Sequence, residues 1–147
     1  MRPATLFLSI KPMFTRKIFA GTKTVELRRV RPNVTPGEHV LIYSSSPEMA
    51  LLGSARVEEI LCDAPGNLWN RVKDEAGVSR KEYDDYFSGA SVAIGFRLGD
   101  VQPLVRPIPL HELRRKWPWL RPPQSYRYVD ARLDPAGERV ASLAPPP

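Results

Sequence analysis

Between Leu8 and Arg29 a proline, a glycine and a change of hydrophobic period follow one another in an order that few folds accommodate. Ala4 to Ile10 is apolar and rich in strand formers. Pro12 suits the first position of a helix, where no N–H is needed. Phe14 and Ile18 stand four apart and share one helical face. Gly21 then offers the left-handed stop that ends many helices. A second strand begins at about Thr24, with Val25 and Leu27 on one face and Thr24, Glu26 and Arg28 on the other. The segment reads as strand, helix, tight turn, strand.

The polar face of that second strand is the first functional clue. A carboxylate and a guanidinium side by side, just after a Gly-Thr-Lys turn, can line a polar site. They can equally form a solvated outer face with a cross-face ion pair, as most charged faces do. Strict alternation puts Lys23 with Val25 on the apolar side, at the strand mouth where alternation often fails.

Charge distribution narrows the partners. The 147 residues carry a formal charge of +6. Residues 11–31 hold seven basic side chains and one acid, and 106–127 hold six and one, whereas 48–86 hold five against nine acids. A molecule with a positive face is expected, suited to a polyanion such as nucleic acid. One cysteine, Cys62, excludes an internal disulfide and reads as a buried or half-buried filler. Two histidines and that cysteine, widely spaced, make no metal motif, and no cofactor is implied. No apolar run reaches the roughly 18–20 residues of a membrane span, and Met1-Arg-Pro leads straight into a strand. A cytoplasmic monomer is the expectation.

Further along, Glu38–Ser45 predicts a strand buried on both faces, ending in the hydroxyl-rich Tyr43-Ser-Ser-Ser-Pro47. Met49–Leu61 predicts a long strand bent at Gly53. A helix over 67–76 stops at Gly77, and Ser79-Arg-Lys-Glu82 is a capping box that opens another. Ala90–Leu98 alternates as a strand, followed by a proline-studded edge strand over 101–109. A short basic helix spans Leu110–Trp117. In 117–128 aromatics interleave with arginines, a composition suited either to a nucleic-acid contact or to core and a closing strand. One domain over 1–130 and a Pro-rich flexible tail over 131–147 are expected.

Ile10-Lys-Pro followed by Ala20-Gly-Thr-Lys-Thr-Val-Glu-Leu-Arg28 resembles the signature of ASCH domains, members of the PUA-like superfamily with the EVE domains as cousins. The resemblance runs from about Leu6 to about Val129. It implies an α+β fold, a PUA-like small β-barrel of about six strands with short flanking helices and a cleft sized for a base or nucleotide.

Two functions follow from that resemblance. In a binding module, Lys11, Arg16, Lys17, Arg29, Arg114, Arg115 and Lys116 would hold a sugar-phosphate backbone. Lys11, Lys23, Glu26, Arg28, Ser44, Ser45, Gln124 and Ser125 would line the cleft, with Tyr43 or Tyr126 stacking on the base. The partner would be single-stranded RNA, modified DNA or a modified nucleoside. In an enzyme, Lys23 and Glu26 would be the catalytic pair. ASCH amidohydrolases that deacylate modified cytidine carry a lysine at the position of Lys23 but a threonine at that of Glu26. Their glutamate matches Asp74-Glu75 only loosely. A carboxylate is no hydroxyl nucleophile, so acyl removal is not expected here, and Glu26 would instead hold Lys23 protonated. Ribonuclease-like relatives imply Lys23, Tyr43 and a hydroxyl such as Ser125. Binding without catalysis is the leading expectation.

Overall fold

The computed structural model of the chain describes residues 5–116, 118, 120–121, 126–133 and 140–144. The elements run β1 (Thr5–Ile10), α1 (Pro12–Ala20), β2 (Val25–Arg28), β3 (His39–Ser44), β4 (Ala50–Asp63), α2 (Pro65–Val72), α3 (Arg80–Tyr86), β5 (Ala93–Pro109), α4 (Leu110–Lys116), β6 (Tyr126–Leu133) and β7 (Val140–Ala144). No helix among the described residues is long and apolar enough to cross a membrane.

The local signals of the opening stretch act as written. Pro12 begins α1, and Gly21, at φ +84°, ends it by donating its N–H to the carbonyl of Ile18. In α3 the Ser79 hydroxyl accepts from the Glu82 N–H while the Glu82 carboxylate accepts from the Ser79 N–H, closing the capping box.

The strands form one mixed ladder in the order β2-β5-β4-β3-β1-β6-β7, with β1 parallel to β3 and the remaining pairs antiparallel. The α+β class is as expected. Barrel closure is not made by strand pairing among the described residues: the ladder is open, with β2 and β7 at its ends. It nevertheless curls. Register shifts interrupt β4–β5 at Leu51/Gly53, Ser54/Arg56 and Val57/Glu59, and each such bulge adds twist. Where Gly53 of β4 passes β5, a Cβ would stand 2.2 Å from the Gln102 carbonyl, so only glycine fits. The curl brings β2 round to β1, where an Arg28 guanidinium nitrogen lies 3.4 Å from the Ser9 carbonyl.

Three apolar clusters fill this frame. Leu6, Leu8, Ile42, Val57, Phe96 and Ile18 pack inside the curl. Phe7, Leu41 and Tyr43, on the other face of β1 and β3, pack with Leu110 and Leu113 of α4. Val25 and Leu27 of β2 pack with Leu68 and Val72 of α2 and Tyr83 of α3. One side of β2 is therefore committed to the helical pair, which leaves Glu26 and Arg28 on the opposite side.

Several expectations are corrected. The strand over 90–98 and the proline-studded strand after it are one element, β5, because the Gly99–Asp100 signal is absorbed as an irregularity with Asp100 at φ 46°. Cys62 is exposed, since Leu61 takes the inward position and its neighbour must point out. The stretch from residue 131 onward, expected as a tail, contains the end of β6 and β7, which pair from Asp130↔Ala144 to Leu133↔Val140.

Candidate nucleic-acid site

Glu26 and Arg28 are buried, 6% and 7% exposed, and Lys23 more so at 2%. The solvated-face alternative is thereby removed. Arg28 donates to Glu26 Oε2 at 2.7 Å, while Lys23 Nζ lies 3.7 Å from Glu26 Oε1. Glu26 Oε1 also accepts the Leu27 N–H at 3.2 Å. One carboxylate thus stands between two cations in a low-dielectric setting, where such pairing is needed for the charges to be tolerated.

Lys23 is held from a distant part of the chain. Its ammonium donates to the Ala76 carbonyl at 2.5 Å and lies 5.2 Å from the centre of the Phe14 ring. Lys17 donates to the next carbonyl, that of Gly77, at 2.7 Å. Burial pushes the Lys23 amine below the usual lysine range. Glu26 opposes that shift, whereas Lys17 and Arg28 add to it. Arg28 is the nearer cation to Glu26, and in the Lys23 shift desolvation outweighs the pull of the carboxylate toward the protonated form. Thr24 leaves the cluster, its hydroxyl facing Glu75 at 3.5 Å.

Glu75 itself does not face Lys23 with its carboxylate. Arg97 holds it in a two-point grip, Nε to Oε2 at 2.9 Å and a terminal nitrogen to Oε1 at 3.1 Å. Those bonds hold the Glu75 carboxyl below the usual carboxylate range. Arg97 also pairs with Glu59 of β4.

Tyr43 and Ser44, expected in one cleft, lie on opposite faces of β3. Tyr43 is buried against Phe7, ring centres 5.5 Å apart, and burial pushes its phenol up although the charge of Arg114 pulls the other way. Ser44 is buried under α1, its hydroxyl 3.1 Å from that of Thr15. Ser45 is half-buried and gives its N–H to the Ile10 carbonyl. In parallel strands successive carbonyls point to opposite edges, so the Ser9 carbonyl faces away from β3. Pairing with β6 has ended at Leu8, and Arg28 reaches that carbonyl instead. Tyr43 is the register partner of Ser9 across β1–β3. Tyr43 and Arg28 therefore flank one residue from two edges.

Of the backbone-binding candidates, Lys11, Arg16 and Arg115 are exposed. Lys17 is engaged at Gly77, Arg29 at the carbonyls of Tyr86 and Ser88 (2.7 and 2.9 Å), and Arg114 at that of Leu120 (3.0 Å). Those three brace the fold, which sequence alone could not reveal because each acceptor is a carbonyl. Lys116 ends α4 and Tyr126 opens β6 opposite Leu8. Gln124 and Ser125 lie outside the described residues. No group of three or more metal-ligating side chains is placed to hold an ion among the described residues.

Sequence reasoning missed the carbonyls of Ser9, Ala76 and Gly77 and the Arg97–Glu75 grip. The one local signal is Gly77, whose pattern in the sequence is that of a helix stop.

The ASCH domain family model matches residues 8–99. The ASCH domain-containing ribonuclease of Zymomonas mobilis is 37% identical over 122 residues, 83% of this chain and 82% of that protein. The crystal structure of ASCH from Zymomonas mobilis superposes with a TM-score of 0.80 at 36% identity, covering 85% of this chain and 87% of that one. A variant of it with a tyrosine replaced by phenylalanine superposes equally well, TM-score 0.80 at 34% identity over 91% and 93% of the two chains.

Proposed function

The chain belongs to the ASCH domain family, and from that premise we propose that it acts on RNA, binding a single strand and cleaving its phosphodiester backbone. The observation that carries this reading is the 37% identity to a protein named as a ribonuclease, spread over four-fifths of both chains.

The site chemistry supports it. Cleavage within RNA needs positive charge where the phosphate gains negative charge in the transition state. Arg28 and Lys23 supply that charge from fixed positions, with Glu26 setting the orientation of Arg28. The attacking 2′-hydroxyl gives its proton to solvent water, its oxygen forms a bond to phosphorus as the bond to the 5′-oxygen breaks, and the leaving 5′-oxygen takes up a proton. We assign that proton to the Tyr43 phenol, because Tyr43 is the register partner of Ser9, the residue whose carbonyl Arg28 reaches. Exposed Lys11, Arg16 and Arg115 would track the flanking phosphates. Removal of an acyl group from modified cytidine is not proposed, because Glu26 stands where a nucleophilic hydroxyl would be needed.

Binding without cleavage is the second reading. It is favoured by the 2.7 Å pairing of Glu26 with Arg28, which commits the carboxylate to holding a neighbour. The test uses a fluorescent single-stranded RNA and its DNA counterpart. Cleavage of the RNA, with affinity that falls steeply with salt and weakens in Lys11→Ala and Arg16→Ala, is the expected result. Salt-sensitive binding with intact RNA would establish the second reading. Neither binding nor cleavage would overturn both.

A further inference from the structure

We infer that Arg97 and Gly77 are positioning residues for Lys23, acting through the peptide Glu75–Ala76–Gly77; the inference rests on the reading of Lys23 as part of the RNA site.

This peptide touches the lysine segment along its length. The Glu75 carbonyl accepts the N–H groups of both Thr24 and Val25, at 2.9 and 3.1 Å. The Ala76 carbonyl takes the Lys23 ammonium and the Gly77 carbonyl takes that of Lys17. Three consecutive carbonyls thus fix the strand backbone, the buried amine and its neighbour. The peptide follows the last turn of α2, with the Glu75 and Ala76 N–H groups both returning to the Val72 carbonyl. Arg97 ties it to β5 through a side chain. That residue faces Val25 across β2–β5, and the next N–H, of Leu98, donates to the Thr24 carbonyl at 2.8 Å. Its two-point grip on Glu75 sets where the carbonyls stand.

Gly77 acts on the lysine stem. It sits at φ +67°, which by itself describes an ordinary helix stop. Other glycines separate the two explanations. Gly21, Gly37 and Gly89 also have positive φ, yet a Cβ on any of them would meet nothing within 4 Å. A Cβ on Gly77 would stand 2.9, 3.1 and 3.3 Å from Cβ, Cγ and Cδ of Lys23. The absent side chain is the slot in which the lysine lies. The charged groups around Lys23 are Glu26 and Arg28 of β2, Lys17 of α1 and, across the gap, Glu82 of α3. Neither Arg97 nor Gly77 is among them, so their effect on Lys23 must pass through position.

The experiment uses the full chain labelled with 13C-lysine, following the Lys23 ε-carbon against pH, with the resonance assigned by Lys23→Arg. RNA cleavage is measured in parallel, and circular dichroism checks that each variant is folded. Gly77→Ala and Arg97→Ala are expected to move the Lys23 midpoint up toward the ordinary 10.5 as the amine is released from its burial. They should lower kcat roughly tenfold to a hundredfold with KM little changed, the scale of a small misplacement. Arg97→Lys, which keeps the charge and loses the fork, should fall between. Gly89→Ala carries the same backbone strain in open space and should leave both readouts at wild-type values. A Lys23 titration identical to wild type in folded Gly77→Ala and Arg97→Ala would overturn the inference, as would an equal shift in Gly89→Ala. If the wild type cleaves no RNA, the ribonuclease reading falls while the titration still decides the positioning.

Discussion

Two sets of ion pairs built from the same side-chain types behave as different materials. On α3, Arg80–Asp84 and Lys81–Asp85 each meet at 3.0 Å with more than half of every side chain in water. On β2, Glu26 meets Arg28 at 2.7 Å and Lys23 at 3.7 Å with at most 8% of any side chain exposed. Distance does not rank them; solvent does. The α3 pairs are screened and lose side-chain freedom for a small gain. The β2 cluster is costly to desolvate and is tolerable only as a complete unit.

The largest expected effect comes from breaking that unit. Glu26→Leu should destabilise the fold by about 3–5 kcal/mol, because two cations remain buried without their carboxylate. Replacing the whole cluster by Lys23→Met, Glu26→Leu and Arg28→Met together should restore most of that stability, since apolar residues of similar volume often substitute for buried ions without loss, while RNA cleavage disappears. Urea unfolding midpoints of the two proteins decide it. A Glu26→Leu midpoint equal to wild type would dissolve the distinction between the two sets.

A smaller effect sharpens it through pH. The Lys23 pKa is lower in the folded chain than its ordinary 10.5. Between the two values the unfolded chain binds a proton that the folded chain lacks, so stability rises with pH in that window. The stability of the wild type relative to Lys23→Met should therefore improve as the pH rises toward that ordinary value. Tyr83, with a pKa pushed up to about 12, lowers the absolute stability of both proteins at still higher pH, because the folded state then holds the extra proton, and it cancels in the difference between them. Thermal melts of both proteins across the range provide the measurement, and a difference independent of pH would contradict the burial of the amine.

The smallest effect belongs to α3. Lys81→Ala should cost no more than about 0.5 kcal/mol, and added salt should erase the loss. A loss as large as that of Glu26→Leu would show that exposure is the wrong variable. Melting curves at low and high salt are sufficient.

What was legible in the sequence was what is decided locally. Pro12, Gly21 and the Ser79–Glu82 box each act within one helical turn, and each stands where its chemistry put it. The grouping of Glu26 with Arg28 was legible too, because alternation along a strand is local. What was not legible was which polar face would be covered. That depends on the curl produced by irregularities between β4 and β5, which bring β2 to the Ser9 carbonyl. The partner of Lys23 was hidden for another reason: it is the Ala76 carbonyl, and every residue has one. The resemblance puts the end of β3 near a cleft but does not say which of its residues face it, and neighbours in a strand such as Tyr43 and Ser44 point to opposite faces. Lys17, Arg29 and Arg114 counted toward a positive surface by composition, and each is engaged with a carbonyl of the fold.

The pairing of β1 has a consequence for the order of events during synthesis. One edge of β1 is covered by β3, beginning at Leu6↔Val40, soon after it in the chain. Its other edge waits for β6, where Thr5 meets Val129 and Leu8 meets Tyr126. On the ribosome, the curled core and α1 can assemble while that edge still presents a row of open donors and acceptors, the kind of surface that recruits a stray strand. Nascent chains released before β6 should therefore be the aggregation-prone species, and the closing strand acts as a guard on the nascent protein as much as a part of the mature one.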